Sequence, residues 1–415
     1  MDTRKFKLGL ILCLSGFVLV NANLLWRVRD LLVEGYGDFA SFYTAGKILE
    51  QHEGKRLYDP HLAWSIQQEF APRVEIRRGP LPYIRPPFEA LLFLPFAYLS
   101  YPTAYAVWTA LKICLLLPIA CLLEPGIPGR SLSLPGTLFR WLVSLAYFPV
   151  AFDLRQGQDA VLLLLILCLA LQSLENESDF RAGIFLGLGL FKFTLTMPLL
   201  LVFLIRRKFR VVSGFFGVAA VLLGLSVMVS GWSTVLAYPQ YLWALKDTAP
   251  GLTAVRLMPN LRGLLAALGV EGGGTNWVLG GVAILALIGT ARIWEFGESH
   301  GRPHFRSGFS LAIVVALVTS YYSLSYDLSL LLIPILTLNP KILEEKRLGS
   351  IRALFLACLG LLLFTPLYWV MLLRFDRSDW IAPILLLFAI CLARMVATGL
   401  GTRSGSEILA ECPKP

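Results

Sequence analysis

The sequence predicts an all-α, polytopic membrane protein with about twelve transmembrane helices, and three observations predict it. Of 415 residues, 56% are hydrophobic and 15% charged, with a mean hydropathy of +0.68. A soluble domain carries roughly 25% charged residues, and one core could not hide this much apolar surface, so lipid must cover the rest. Second, the apolar residues fall in runs long enough to cross a bilayer. Third, basic residues gather between alternate runs, as they do on the cytoplasmic side of membrane proteins.

The first run, Leu8 to Trp26, follows Arg4, Lys5 and Lys7. It has the charge pattern of a signal peptide, but it is long and lacks a small-residue cleavage site, so an uncleaved first helix is expected. Further spans are expected near 103–123, 138–152, 159–174, 210–230, 275–294, 307–321, 324–338, 351–371 and 379–398. Two regions are ambiguous. Residues 86–101 are short, carry Glu89 and are interrupted by Pro95, so they are read as lying along the interface. Residues 181–205 have Lys192 near their middle. A lysine at the centre of an isolated spanning helix costs about 2.5–3.5 kcal/mol on insertion. Breaking the helix there, into 181–191 and 194–205, relieves that cost, and broken helices are tolerated where they line a polar cavity.

These two choices are linked. Splitting 181–205 while 86–101 stays interfacial gives twelve crossings, and so does the opposite choice. The first places Arg130, Arg140 and Arg181 inside and Arg155 outside, which the positive-inside rule favours. Both place Arg206, Arg207, Lys208, Arg210, Arg302, Arg306, Lys341, Lys346 and Arg347 inside, with both termini cytoplasmic. The chain is then one transmembrane domain over 1–400, with exoplasmic segments at about 27–102 and 231–274 and a polar cytoplasmic tail at 401–415. It is expected to be a multi-pass protein of the cell (inner or plasma) membrane.

The net charge of +10 fits cytoplasmic loops rather than nucleic-acid binding. Six of the seven cysteines lie in apolar runs, and His52, His61, His300 and His304 are scattered, so no metal site is expected. Phosphate-binding P-loops, nucleophile elbows and zinc-protease motifs are missing. What remains is polar residues at the expected outer helix ends. Asp38, in Gly37-Asp38-Phe39, opens an amphipathic stretch. It could serve as a general base or merely cap the helix. Arg73, Arg77, Arg78 and Arg85 could clamp a phosphate or meet lipid headgroups. Arg155-Gln156-Gly157-Gln158-Asp159 suits sugar hydroxyls or phosphate oxygens, or is a polar turn. Lys192 is an outer-side cation or a snorkelling one. Tyr326 and Asp327 close a tyrosine-rich helix end that is either an aromatic belt or part of a site. Asn260 and Arg262 form a weaker cluster.

Taken together, several residues in order resemble glycosyltransferase family 87 of the GT-C superfamily. They are Gly37-Asp38-Phe39 with Tyr43, Leu57-Tyr58-Asp59-Pro60, Tyr83 with Pro86-Pro87, and Trp108. Gly157-Gln158, the stretch Gly183 to Lys192, and Asn260 follow. The resemblance covers most of residues 1–340 and implies a GT-C-like fold with exoplasmic juxtamembrane helices. The family includes mycobacterial mannosyltransferases and arabinofuranosyltransferases acting on the outer membrane face. The resemblance implies transfer of a sugar from a polyprenyl-phosphate donor to a lipid or glycan acceptor, with inversion and no cofactor. By resemblance Asp38 is the catalytic base. By resemblance Lys192 matches the lysine ending a short helix; with it Arg85, Arg155, Gln158 and Tyr43 are expected to bind the donor phosphate or sugar, and Asp327, Tyr326, Asn260 and Arg262 to stand near the acceptor or supply a second acid. Phe193 stands where the family often has proline, and Asn260-Leu261-Arg262 replaces an Asn-Gln-Ser pattern. The competing class is a secondary transporter or flippase, which would more often show repeated halves and midplane charges on several helices.

Overall fold

The computed structural model describes residues 3–71, 79–124, 134–248, 255–270, 272, 274–299, 305–337 and 349–397. Arg73, Arg77, Arg78, Arg130, His300, Arg302, His304, Lys341, Lys346, Arg347 and the tail 401–415 lie outside them. Among the described residues every regular element is helical. By length and composition alone, five helical stretches among the described residues could cross a membrane: Leu8–Arg27, Tyr101–Leu122, Asp179–Ile205, Phe209–Leu245 and Thr275–Glu298. Two bent pairs raise this to seven if each counts as one span. The remaining apolar helices are shorter, such as Ala160–Glu175 with 16 residues and Phe305–Thr319 with 15. The chain is therefore a polytopic α-helical membrane protein, with fewer full-length spans than the twelve expected. A short helix buried among neighbours does not have to match the bilayer by itself, so span length falls below the usual 20 residues or so.

Several spans differ in shape from the sequence expectation. The 138–152 run breaks after Ala146, and Leu134–Ala146 meets Phe148–Gln156 at 64°. The 351–371 run breaks at Phe364, where Gly349–Leu363 meets Thr365–Arg374 at 59°. Pro149 and Pro366 sit in the first turn of the second helix of each pair, where a missing N–H costs nothing but the preceding residue is pushed out of helical geometry. By contrast, Pro95 does not interrupt its segment: Pro87–Ala97 is a continuous helix of 11 residues, too short to cross. The outer segment expected over 231–274 begins as helix, because Phe209–Thr248 continues past a break at Gly231 (φ 80°, ψ 160°).

The chain reverses at Lys192. Asp179–Leu188 and Phe193–Ile205 flank a 3₁₀ turn, Gly189–Lys192. By length alone the stretch could pass as one span, yet its ends meet: Lys208 Nζ lies 3.5 Å from Asp179 Oδ2. The first arm then runs alongside the helix that starts at Phe209. A side chain at Gly183 would sit 2.0 Å from the Val211 carbonyl, and one at Gly214 2.2 Å from that of Phe180. Glycine on both helices is what permits this backbone contact, the small-residue packing common in membranes.

Charged pairs collect at two ends of the helical body. At one end Arg140 pairs with Glu124, Arg206 with Glu298, and Arg306 with Glu175. The cluster containing Asp38 occupies the other end. A large apolar core between them joins Ala160–Glu175, Phe193–Ile205, Phe305–Thr319 and Ile381–Ala397. A smaller one, built on Phe39, Phe42, Phe93, Tyr101 and Trp108, lies beneath Asp38.

Candidate active site

The loop 153–160 organises the Asp38 end. Lys112, fully buried in Tyr101–Leu122, donates to Asp153 Oδ2 (2.8 Å) and to the carbonyls of Asp153 (2.8 Å) and Gln158 (3.0 Å). Asp153 Oδ1 in turn accepts from the Ala160 amide at 2.9 Å. The loop turns at Gly157, whose φ of 68° is left-handed, and a side chain there would lie 2.5 Å from Phe39 Cβ. Both constraints call for glycine. Trp108 Nε1 closes the turn on the Gly157 carbonyl at 2.9 Å.

So held, Gln158 reaches in two directions. Its Nε2 donates to Asp38 Oδ2 at 2.7 Å, while its Oε1 accepts from Arg85 Nη2 at 3.1 Å. Asp38 precedes the helix Phe39–Glu50 but makes no side-chain cap bond, so the capping reading gives way: the carboxylate turns to Gln158 instead. Asp38, Arg85 and Gln158 line one cavity of about 200 Å³, together with Ser41, Gln156, Ser325, Tyr322 and Tyr326. Apolar walls come from Phe42, Phe152, Leu257 and Leu372.

Behind the cavity runs a chain of buried charges. Arg85 Nη2 donates to Asp159 Oδ1 at 2.9 Å, and the same oxygen lies 2.8 Å from Lys192 Nζ. Lys192 also donates to Asp327 Oδ1 at 2.5 Å, and Asp327 Oδ2 accepts from the Leu324 amide at 2.9 Å. Burial alone would loosen the Arg85 proton, but the Asp159 carboxylate above all outweighs it and holds the guanidinium charged more firmly than usual. Glu89, on the non-crossing helix Pro87–Ala97, goes the other way. Burial first, and then the Asp159 carboxylate, push its carboxyl well above the ordinary range against the pull of Arg85. The cavity therefore presents a fixed cation beside a carboxylate joined to it through one amide.

The structure separates the remaining expected site residues. Tyr326 lines the cavity, its ring 4.8 Å from Lys192 Nζ. Lys192 does not: at 3% exposure it neither snorkels nor faces the cavity, but is neutralised by Asp159 and Asp327. Asp327 is likewise behind the wall. Tyr43 points into the smaller core, where its hydroxyl donates to the Leu99 carbonyl at 2.8 Å. Arg155 sits at the end of Phe148–Gln156 and is not part of the cavity wall. Asn260 is fully buried. Its Oδ1 caps Leu261–Ala267 through the Gly263 amide at 3.0 Å, and its Nδ2 donates to the Ser320 carbonyl at 2.9 Å. Arg262 donates to the Tyr321 carbonyl at 3.1 Å, with its guanidinium 4.1 Å from that ring. Sequence reasoning missed Lys112 and Asp153, although a lysine midway along an apolar helix is the same signal that marked Lys192. Among the described residues no three His, Cys, Asp or Glu side chains come together as a metal site.

A polyprenol-phosphate-mannose-dependent alpha-(1-2)-phosphatidylinositol mannoside mannosyltransferase of Mycobacterium tuberculosis is 30% identical over 231 residues, 52% of each chain. The chain thus spans about half the length of that relative. The protein of the same name in Mycolicibacterium smegmatis is 27% identical over 306 residues, 69% of this chain and 68% of that one. The profile of glycosyltransferase family 87 matches residues 83–320, which take in Arg85, Lys112, Gln158 and Lys192 but neither Asp38 nor Asp327. With more than half of its residues inside that match, the chain belongs to glycosyltransferase family 87.

Proposed function

We propose that this protein is a membrane glycosyltransferase that moves a sugar from a polyprenyl-phosphate donor to a lipid or glycan acceptor on the exoplasmic face, with Asp38 as general base. The observation that carries the reading is the pair of charges on one cavity wall, Asp38 and Arg85, joined through Gln158. Asp38 takes the proton of the acceptor hydroxyl as its oxygen attacks the anomeric carbon. The bond from that carbon to the donor phosphate breaks, the polyprenyl phosphate departs, and the configuration inverts. Arg85 meets the growing charge on the departing phosphate from a site where no reorganisation is needed. Lys192, the cation first favoured for that task, serves by holding Asp159 and Asp327 in place.

The relatives named above use polyprenol-phosphate mannose, which makes mannose the first donor sugar to test and phosphatidylinositol mannosides the first acceptors. The proposed topology has twelve passes, counting the short helices and both arms of the hairpin at Lys192, with cytoplasmic termini and the Asp38 end exoplasmic.

The test is Asp38→Asn. Asparagine keeps the size and can still accept from Gln158, but it cannot take a proton. Transfer at saturating substrates should slow by about 10²- to 10⁴-fold, the usual worth of a general base, with the thermal unfolding curve unchanged. A folded variant keeping more than about a tenth of wild-type turnover with chemistry rate-limiting removes Asp38 from that role.

A further inference from the structure

A second, open groove of about 510 Å³ lies at the Asp38 end, on the other side of Tyr58. The proposed transfer makes no use of it. One wall is the Gly54–Arg56 turn with Tyr58. The other is the stretch of Phe209–Thr248 beyond Gly231, which contributes Thr234, Gln240 and Tyr241.

That stretch is two-faced. Thr234, Tyr238 and Tyr241 bind the protein body. Thr234 Oγ1 donates to the Lys55 carbonyl at 2.9 Å, Tyr238 Oη donates to the Ile84 carbonyl at 3.0 Å, and Tyr241 stacks on Tyr58 with centroids 4.6 Å apart. Trp232, Leu236 and Trp243 are 55%, 63% and 69% exposed. At 3.6 residues per turn, the two sets point to nearly opposite sides of the helix. Exposed tryptophans of this kind mark the boundary between membrane and water.

Depth gives the same answer. From Phe209 to Gly231 the helix rises about 33 Å at 1.5 Å per residue, roughly one hydrocarbon thickness. The break at Gly231 therefore falls at the far boundary, and the turns beyond it run at headgroup level. The groove residues Ala237 and Gln240 occupy the flank between the body-facing and lipid-facing stripes, so the groove opens beside lipid. The Lys55 side chain crosses Gly231, whose Cβ would lie 3.8 Å from Lys55 Cγ. Arg56 is held nearby by Asp59 at 2.8 Å. Lys55, with Arg56 already paired to Asp59, leaves the groove with a net positive charge, and the Ser233 hydroxyl, the Gln240 amide and the tyrosine faces complete a lining at headgroup depth complementary to a phosphodiester whose chains remain in the bilayer.

We propose that this groove seats the phosphodiester headgroup of an anionic phospholipid from the leaflet on the Asp38 side. The proposal stands whether or not the protein transfers sugar. It is tested on the full-length protein in mild detergent, by native mass spectrometry with titrated phosphatidylglycerol and, separately, phosphatidylcholine. The Lys55→Glu variant should bind phosphatidylglycerol about tenfold more weakly, as expected for removing and reversing one surface cation, with phosphatidylcholine binding unchanged. Arg29→Glu, an exposed cation beyond the first helix and outside the groove, should leave both unchanged. Lys55→Gln should give a smaller loss in the same direction and covers the case in which Lys55→Glu fails to fold. Full phosphatidylglycerol binding by both Lys55 variants overturns the proposal. So does an equal loss in Arg29→Glu, which would make the attraction a general surface effect. Displacement of phosphatidylglycerol by inorganic phosphate at comparable concentration also overturns it, since the occupant would then be a free anion.

Discussion

Gln158 touches both charged groups that face the cavity, and it can do so only because an amide has one donor end and one acceptor end. Gln158→Glu keeps the size and the acceptor for Arg85 but has no hydrogen to give Asp38. Two carboxylates at that distance share a proton, Arg85 keeps the charge on the introduced one, and Asp38 is then less often ionised and free to take the acceptor's proton. Transfer at neutral pH should fall at least about tenfold, a shift of one unit or more in Brønsted terms, which steady-state kinetics on folded protein will show. Lys192 carries a different load. Replacing it with methionine leaves Asp159 and Asp327 buried with one cation fewer, and breaking a buried pair costs about 3–5 kcal/mol. Lys192→Met should therefore lower the unfolding temperature sharply, and adding Asp327→Asn should restore much of the loss, because asparagine still accepts from the Leu324 amide. Equal instability of the single and double variants would show that the pair is not the cause. The sequence marked Lys192 as an anomaly but could not show that its partner stands 135 residues away. Tyr43 and Asn260 misled for the same reason: a polar residue near an outer helix end reads alike whether it faces a cavity or satisfies a buried carbonyl.

At the scale of elements, the hairpin that turns at Lys192 and the helix beginning at Phe209 depend on backbone contact. Gly183→Ala would place a methyl group 2.0 Å from the Val211 carbonyl, so the two helices must part. Overpacking of this kind costs about 1–3 kcal/mol, sometimes more. Gly217 and Gly224 have open space around them, and alanine there should be neutral or slightly stabilising through its helix propensity. Unfolding curves of the three variants in detergent check the contrast. The break at Lys192 was legible because a cation amid apolar residues is costly. The kinks after Ala146 and at Phe364 were less so, since Pro149 and Pro366 permit a bend without dictating its angle. The resumption of helix beyond the break at Gly231 ran against the sequence signal, because glycine and the aromatic residues beyond it read as loop when their partner surface is not visible.

For the whole molecule, the proposed topology puts the Asp38 cavity outside and the end carrying Arg140–Glu124 and Arg306–Glu175 inside. In a cysteine-free background, a cysteine introduced at His61 should react with a membrane-impermeant maleimide in intact cells. One introduced at Glu177 should react only after the membrane is opened. The reverse pattern would invert the proposed topology. The all-helical class followed from composition alone, whereas the number of full-length spans did not: several helices here are shorter than the bilayer is thick and are sheltered by neighbours, a packing effect that hydropathy along the chain does not register.

The linked charges of Arg85, Asp159, Lys192 and Asp327 also set a timetable for biogenesis. The ribosome delivers Arg85, Glu89, Asp159 and Lys192 first, when Lys192 has only one of its two carboxylate partners. Asp327 emerges 135 residues after Lys192 and brings the second carboxylate. Until then Lys192, between two apolar helices, is half-partnered, and those helices have reason to stay beside the translocon instead of dispersing into lipid. A product ending before Asp327 would leave Lys192 with Asp159 alone.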